Sequence, residues 1–289
     1  MRMKKDALAH RIAELSAIPS TGAIPNEAEA VVDELLGALE AGELRAAERG
    51  SDGRWRAVAW VKQGILLGFR IAQVVDMTAY VTEGAPARFF FFDKQTFPTR
   101  GFDLNDGVRI VPGGSSIRRG AYLAPGVVCM PPMYVNVGAY VGAATMVDSH
   151  ALVGSCAQIG SRVHLSAGAQ IGGVLEPINA APVIVEDEVL IGGNCGVYEG
   201  TVVRERAVLA AGVILTRGTP VYDLVHETIY RGNAEQPLEI PAGAVVVPGA
   251  RRVGGGWGGE QGLSLQTPVI VKYRDEQTDL ATTLESWLR

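Results

Sequence analysis

Few side chains in this sequence can do chemistry near neutral pH. There are four histidines (His10, His150, His164, His226) and three cysteines (Cys129, Cys156, Cys195). The cysteines are odd in number and lack C-x-x-C spacing, which argues against a disulfide framework and a zinc site; beside small residues they read as small hydrophobes in a reducing cytoplasm. Histidine-held zinc of the hydrase kind needs three converging imidazoles, and only His150 and His164 fall in the regular part of the chain, so no metal is expected. No Walker or G-x-G-x-x-G motif stands between a strand and a helix, so phosphate cradles of those kinds are missing. A net charge of −5 and a pI near 5.5 provide no basic footprint for nucleic acid. Local arginines can still hold a small acidic substrate. The most apolar run, 64–69, is far short of the ~18 residues of a membrane span, and Asp6 and Glu14 interrupt any signal-like opening. The chemistry is left to isolated acids, arginines and backbone amides, and something must hold them in place.

The scaffold is legible as a repeat. Glycine is the compositional outlier, at 36 of 289 residues against a usual ~7%. Stepping by six from Ile117 to Ile171, every position is aliphatic except Cys129, and the position two before each is small or modest, from Ser115 to Ala169. After the interruption GGVLEPINAAPV the ladder resumes at Val185 and runs by sixes to Val221. Glycine follows the aliphatic residue at Gly142, Gly154, Gly160, Gly172 and Gly192. A period of six suits neither a helix nor an alternating strand. It suits a triangular parallel β-helix with one hexapeptide per side, in which the aliphatic residue fills the interior and glycine permits the turn. Such coils are stable only when stacked.

The flanks differ in texture. Asn26 is placed to cap a helix with Glu27 and Glu29 in its first turn, an apolar stripe of Val31, Leu35 and Leu39, and Gly42 as its stop. A second helix is expected over 56–72, burying Trp60, Ile65, Leu66 and Phe69. The expected division is a helical domain over 1–105, the β-helix over 106–225 and an extension over 226–289. That extension holds a strand at 244–248, a loop RRVGGGWGGEQG, a β-run at 267–273 and a final helix through Trp287 and Leu288.

A β-helix by itself implies no activity. However, ELRAAERGSDGRWRAVAWVKQGILLGFRI, TMVDSHALVGSCAQIGSRVHLSAGAQIGGVLEP and PAGAVVVPG resemble the tetrahydrodipicolinate N-succinyltransferases of the diaminopimelate–lysine pathway, over nearly the whole chain. The resemblance implies a mainly β, left-handed parallel β-helix enzyme, cytoplasmic and homotrimeric, with active sites between subunits. Its reaction would move a succinyl group from succinyl-CoA to the amino group of tetrahydrodipicolinate, with no permanently bound cofactor. The Asp of the M-V-D motif is Asp148, beside the substrate amine, where a carboxylate can take a proton. The Arg of GVRIVP is Arg109, a fork for a substrate carboxylate. Ser155 and Gly173, in the matched VGSCAQIG and IGGVLEP segments, are substrate-binding positions. The coenzyme lies along the coils, with Ala210, Ala211 and Gly212 offering small side chains and open amides. Arg251 and Arg252, in the glycine-rich loop, serve its phosphates or are solvated linker residues.

One position departs from the family. Where better-known members have the first Glu of S-E-V-V-E-G, the aligned CGVYEG has Gly196, and Glu199 matches the second. Glu199 or a water takes over that role, or Asp148 works alone. His164, within VHLS, is a coil hydrogen-bonder or a base, and His150 is expected to pack. Other readings are an acetyl-CoA-dependent enzyme on the same acceptor or a sugar amine, and a non-catalytic assembly subunit.

Overall fold

Three hexapeptides close one coil, and the coil repeats because two side chains of each hexapeptide point inward. The computed structural model describes residues 2–19, 21–78 and 90–275; the helix expected through Trp287 and Leu288 lies outside them. Two-residue strands pair in parallel with strands 18 residues on, as in Met146↔His164, Leu152↔Gln170 and Tyr140↔Gln158. They build three faces. The first runs from Arg109–Ile110 through Met146–Val147 and His164–Leu165 to Ala244–Arg252; the second from Ser116–Ile117 to Ile214–Leu215; the third from Tyr122–Leu123 to Glu239–Ile240. The ladder residues and their companions form one buried core running the length of the coils. Each full burial of such an aliphatic side chain contributes about 1.5–3 kcal/mol. The polar companion Thr145 is satisfied inside, donating to the Gly160 carbonyl at 2.8 Å and accepting from the Val163 amide at 3.1 Å.

The glycines after the ladder residues do a different job from the one expected. The left-handed turn position lies three residues after the ladder residue, at Gly120, Gly126 and Gly138 with φ of 81°, 80° and 74°, or at side-chain-bearing residues such as His150 and Cys156. Gly142 and Gly192 have no such φ. A Cβ on Gly142 would come within 2.5 Å of the Gly160 carbonyl carbon, and one on Gly192 within 2.6 Å of the Ala211 amide. These glycines allow neighbouring coils to approach at ~4.8 Å.

Two insertions break the 18-residue step. The first, in 172–182, stretches Gln158↔Ile184. The second stretches Val202↔Glu239 and Val208↔Val245, so the ladder resumes at Ile240 and Val246, with Leu238 and Ala244 as companions. The boundary at 225 therefore cuts the β-helix. Val221 is in phase but leaves the coils: Val221–Asp223 pairs with Thr228–Tyr230 and with the strand Ser264–Tyr273. Asp223 fixes that departure. It accepts from the Val225 and His226 amides at 2.9 and 3.1 Å and from the Tyr273 hydroxyl at 2.7 Å. Burial alone would raise its carboxyl, but these bonds outweigh burial and hold it at about 2.

Before the coils come α1 (Arg2–Ala17), α2 (Glu27–Glu40) and α3 (Ala59–Ile71). Asn26 sits in helical φ/ψ with no side-chain cap bond, while Gly42, at φ 70°, ends α2 as expected. α3 starts at Ala59 because 55–57 pairs as a strand with Ala47–Arg49. Its buried face is Val61, Lys62, Gly64, Ile65, Leu67 and Gly68; Trp60, Leu66 and Phe69 are only partly buried. The hairpin 47–57 lies on the third face. Arg45 stacks 3.8 Å from the Tyr140 ring and donates to Gln158 at 2.9 Å, and Trp55 donates to the buried Glu186 at 2.9 Å. The chain's own N-terminal part thus covers the third face.

All three thiols are free and buried, and burial pushes Cys129 and Cys156 up to about 12. Thiolate is the reactive form. The native protein should therefore show no fast reaction with a disulfide reagent at pH 8, and three thiols once unfolded. A fast-reacting native thiol would contradict this packing.

Candidate functional site

The coil geometry sorts the sequence-predicted residues into columns. Rungs align Val147, Leu165, Ile191 and Leu209 on the first face. The next residue in each, Asp148, Ser166, Gly192 and Ala210, therefore lines the edge between the first and second faces. Rungs on the second face align Val153, Ile171, Val197 and Leu215. Gly154, Gly172, Tyr198 and Thr216 follow them at the edge between the second and third faces, and Ser155, Gly173, Glu199 and Arg217 come next. Asp148 and Glu199 thus stand on different edges of the prism.

At the first edge the Asp148 side chain is 30% exposed. Its Oδ1 accepts from the Ser149 amide at 2.7 Å, and its Oδ2 is 3.9 Å from His164 Nε2, which projects from the rung below. The carboxylate is thereby aimed outward, with an imidazole beside it. His150 is an exposed turn residue at φ 62°, not the packing residue expected. Ala210 and Gly212 share this edge, but their amides are taken by the ladder, donating to the Val246 and Gly193 carbonyls at 2.8 and 2.9 Å. They offer small surface rather than open donors. Arg109 lies on the same face, two rungs before Met146.

At the second edge Ser155, Gly173 and Glu199 come together. A Cβ on Gly173 would sit 2.6 Å from the Ser155 amide nitrogen. Glu199 Oε2 accepts from the Arg217 amide at 3.1 Å. A cavity of about 510 Å³ opens here, lined by Gly172, Gly173, Glu176, Tyr198, Glu199 and Arg217 among others, and Glu199 and Arg217 also line a second of about 600 Å³. The first insertion forms one lip of both, through Pro177 and Ala180. Lys62, fully buried on α3, holds that lip by donating from Nζ to the Ala180 carbonyl at 2.5 Å. Its burial pushes the ammonium below its ordinary range.

Arg251 and Arg252 are not in a loop. They end the strand Ala244–Arg252, opposite Leu265 and Ser264. Adjacent strand residues point to opposite faces, so the two do not form one phosphate clamp. Sequence reasoning missed Lys62, Tyr198 and Arg217. A lone lysine on the apolar stripe of α3 was the available signal for the first, and the glycines at 172 and 196 for the second.

Two family models match: the N-terminal domain of tetrahydrodipicolinate N-succinyltransferase over 11–71, and the hexapeptide repeat of succinyl-transferase over 182–217. Curated 2,3,4,5-tetrahydropyridine-2,6-dicarboxylate N-succinyltransferases from Nitrobacter winogradskyi and Bradyrhizobium diazoefficiens are each 45% identical to this chain. The first aligns over 93% of this chain and 92% of its own length, the second over 91% and 90%. A crystal structure from Campylobacter jejuni, described as a putative 2,3,4,5-tetrahydropyridine-2-carboxylate N-succinyltransferase, aligns over 87% of this chain and 63% of that one, at 18% identity and a TM-score of 0.44.

The glycine edge is testable through stability. Gly173→Ala forces a methyl against backbone, whereas Gly218, with nothing within 4 Å of its Cβ position, does not. Gly173→Ala should cost about 1–3 kcal/mol in denaturant unfolding, and Gly218→Ala well under about 1 kcal/mol. Equal effects would refute the close approach.

Proposed function

This chain belongs to the tetrahydrodipicolinate N-succinyltransferase family, and on that premise we propose that it moves a succinyl group from succinyl-CoA to the amino group of tetrahydrodipicolinate in its hydrated or ring-opened form. The near-full-length likeness to the curated relatives carries this reading. The products would be N-succinyl-2-amino-6-oxopimelate and free coenzyme A; in this reading the enzyme serves the diaminopimelate–lysine pathway in the cytoplasm. We take the β-helix to be left-handed and the active unit to be a homotrimer.

In this reading Asp148 accepts a proton from the amine, because a protonated amine has no lone pair for attack on the thioester carbonyl. The C–N bond forms, the carbonyl oxygen carries the charge of the tetrahedral intermediate, and collapse breaks the C–S bond as the thiolate leaves and gains a proton. Backbone amides steady the oxyanion. His164, 3.9 Å from Asp148, supports the carboxylate's orientation. Arg109 anchors an acceptor carboxylate, and Ser155 and Gly173 shape the acceptor's seat. The coenzyme arm follows the Asp148 edge past Ala210, Ala211 and Gly212, with Arg251 reaching a phosphate and Arg252 facing the other way. Glu199 stands on the next edge. Both acids can serve one site when the Asp148 edge of one subunit meets the Glu199 edge of another, which supports sites between subunits.

Thiol release with tetrahydrodipicolinate, run with succinyl-CoA and acetyl-CoA in parallel, tests the activity; the succinyl donor should give the higher kcat/KM. Asp148→Asn keeps size and most hydrogen bonds but not the base, and should lower kcat by about 10²–10⁴ with an unchanged melting curve. Glu199→Gln should fall comparably if Glu199 serves the same site. Near-full succinyl transfer by Asp148→Asn would overturn the mechanism.

A further inference from the structure

Gly196 is a glycine for reasons of space. Its backbone has no positive φ, so any residue could adopt its angles. A side chain there would have to displace the ring of Tyr198. A Cβ on Gly196 would run into Cε2 of that ring and lie 2.9 Å from both Cζ and the hydroxyl oxygen; one on Gly172, a rung above, would lie 2.7 Å from Cδ1. The tyrosine therefore lies across two glycines, and its hydroxyl occupies the volume into which a side chain at 196 would grow. Tyr198 is only partly buried and lines the cavity of about 510 Å³ that holds Gly173, Glu176, Glu199 and Arg217.

The charge of that cavity gives the phenol a purpose. When ionised, Glu176 and Glu199 only accept hydrogen bonds, whereas Arg217, Thr216 and Tyr198 can donate. An anionic ligand needs donors, and a further carboxylate at 196 would repel it, while a phenol at the same place attracts it. We propose that Tyr198 is a substrate-contacting, specificity-determining residue whose hydroxyl donates to a carboxylate of the acceptor, and that Gly196 and Tyr198 act as one unit in which the glycine exists to seat the phenol. The acceptor's identity here rests on the succinyl-transfer reading above; the pairing rests on the geometry.

A double-mutant cycle tests it, read as acceptor kcat/KM and as calorimetric binding of 2-aminopimelate, an open-chain amino dicarboxylate. Tyr198→Phe keeps the ring and removes only the hydroxyl. It should weaken 2-aminopimelate binding and lower acceptor kcat/KM by about 10- to 100-fold, the range for a lost bond to a charged group, with the melting curve and the KM for succinyl-CoA unchanged. Gly196→Ala should show a similar loss by displacing the ring, yet cost under about threefold more when made in the Tyr198→Phe background. Wild-type binding and turnover fully retained by Tyr198→Phe would overturn the proposal, as would additive losses in the double variant. A wild type that binds 2-aminopimelate and loses it through Tyr198→Phe, but turns over no succinyl-CoA, would keep this inference and sink the succinyl-transfer reading. A wild type that neither binds 2-aminopimelate nor turns over succinyl-CoA would overturn both.

Discussion

The parallel ladder between successive coils is the interaction on which the rest depends. Each rung pairs main chain with main chain three hexapeptides away, so strands are locked at one spacing and every position in the repeat becomes a column. Inward columns hold apolar side chains, or small polar ones such as Thr145 whose hydrogen bonds are made inside, because the narrow prism is close-packed. Flat outward columns are either covered, as the third face is by the N-terminal hairpin, or left as surface. Polar groups with freedom to act collect at the edges, where the chain turns and where insertions can leave the ladder without breaking it.

The candidate chemistry follows from that constraint. One edge holds Asp148 with His164 beside it and the small surface of Ala210 below; another holds Ser155, Gly173, Glu199 and the cavity closed by the first insertion. No single edge holds both acids. The insertion lip is itself tied down by Lys62, which is buried at the cost of a depressed ammonium. So the N-terminal helices support the candidate site through the Lys62–Ala180 bond and through Leu175, which packs against the helical core.

The ladder could be read from the sequence because volume dictates it: each hexapeptide turns one large aliphatic side chain, from Ile117 to Ile171, into the interior beside a smaller companion. The same rule hid the end of the coils. Val221 keeps the phase by position while Asp223 turns the chain away, and the true continuation at Ile240 and Val246 is displaced by the second insertion. Glycine was misread where composition alone cannot separate a turn from a close approach; Gly142 needs the space and Gly138 needs the angle. Family likeness points to the site residues, but spacing does not say which edge each occupies or that Arg251 and Arg252 point apart. Tyr198 is marked in the sequence only by the glycines it lies across, Gly172 and Gly196, and spacing alone does not say which side chain fills the space they leave.

In the proposed trimer, acids on different edges serve one site across a subunit boundary. Unfolding Asp148→Asn and Glu199→Gln subunits together, refolding them as an equal mixture and assaying succinyl transfer tests it directly. If each site draws one acid from each of two neighbours, a random mixture of trimers should regain about a quarter of wild-type activity from two nearly inactive parents. Activity no higher than that of the separate variants, with mixed trimers confirmed by mass, would rule out a site shared between subunits.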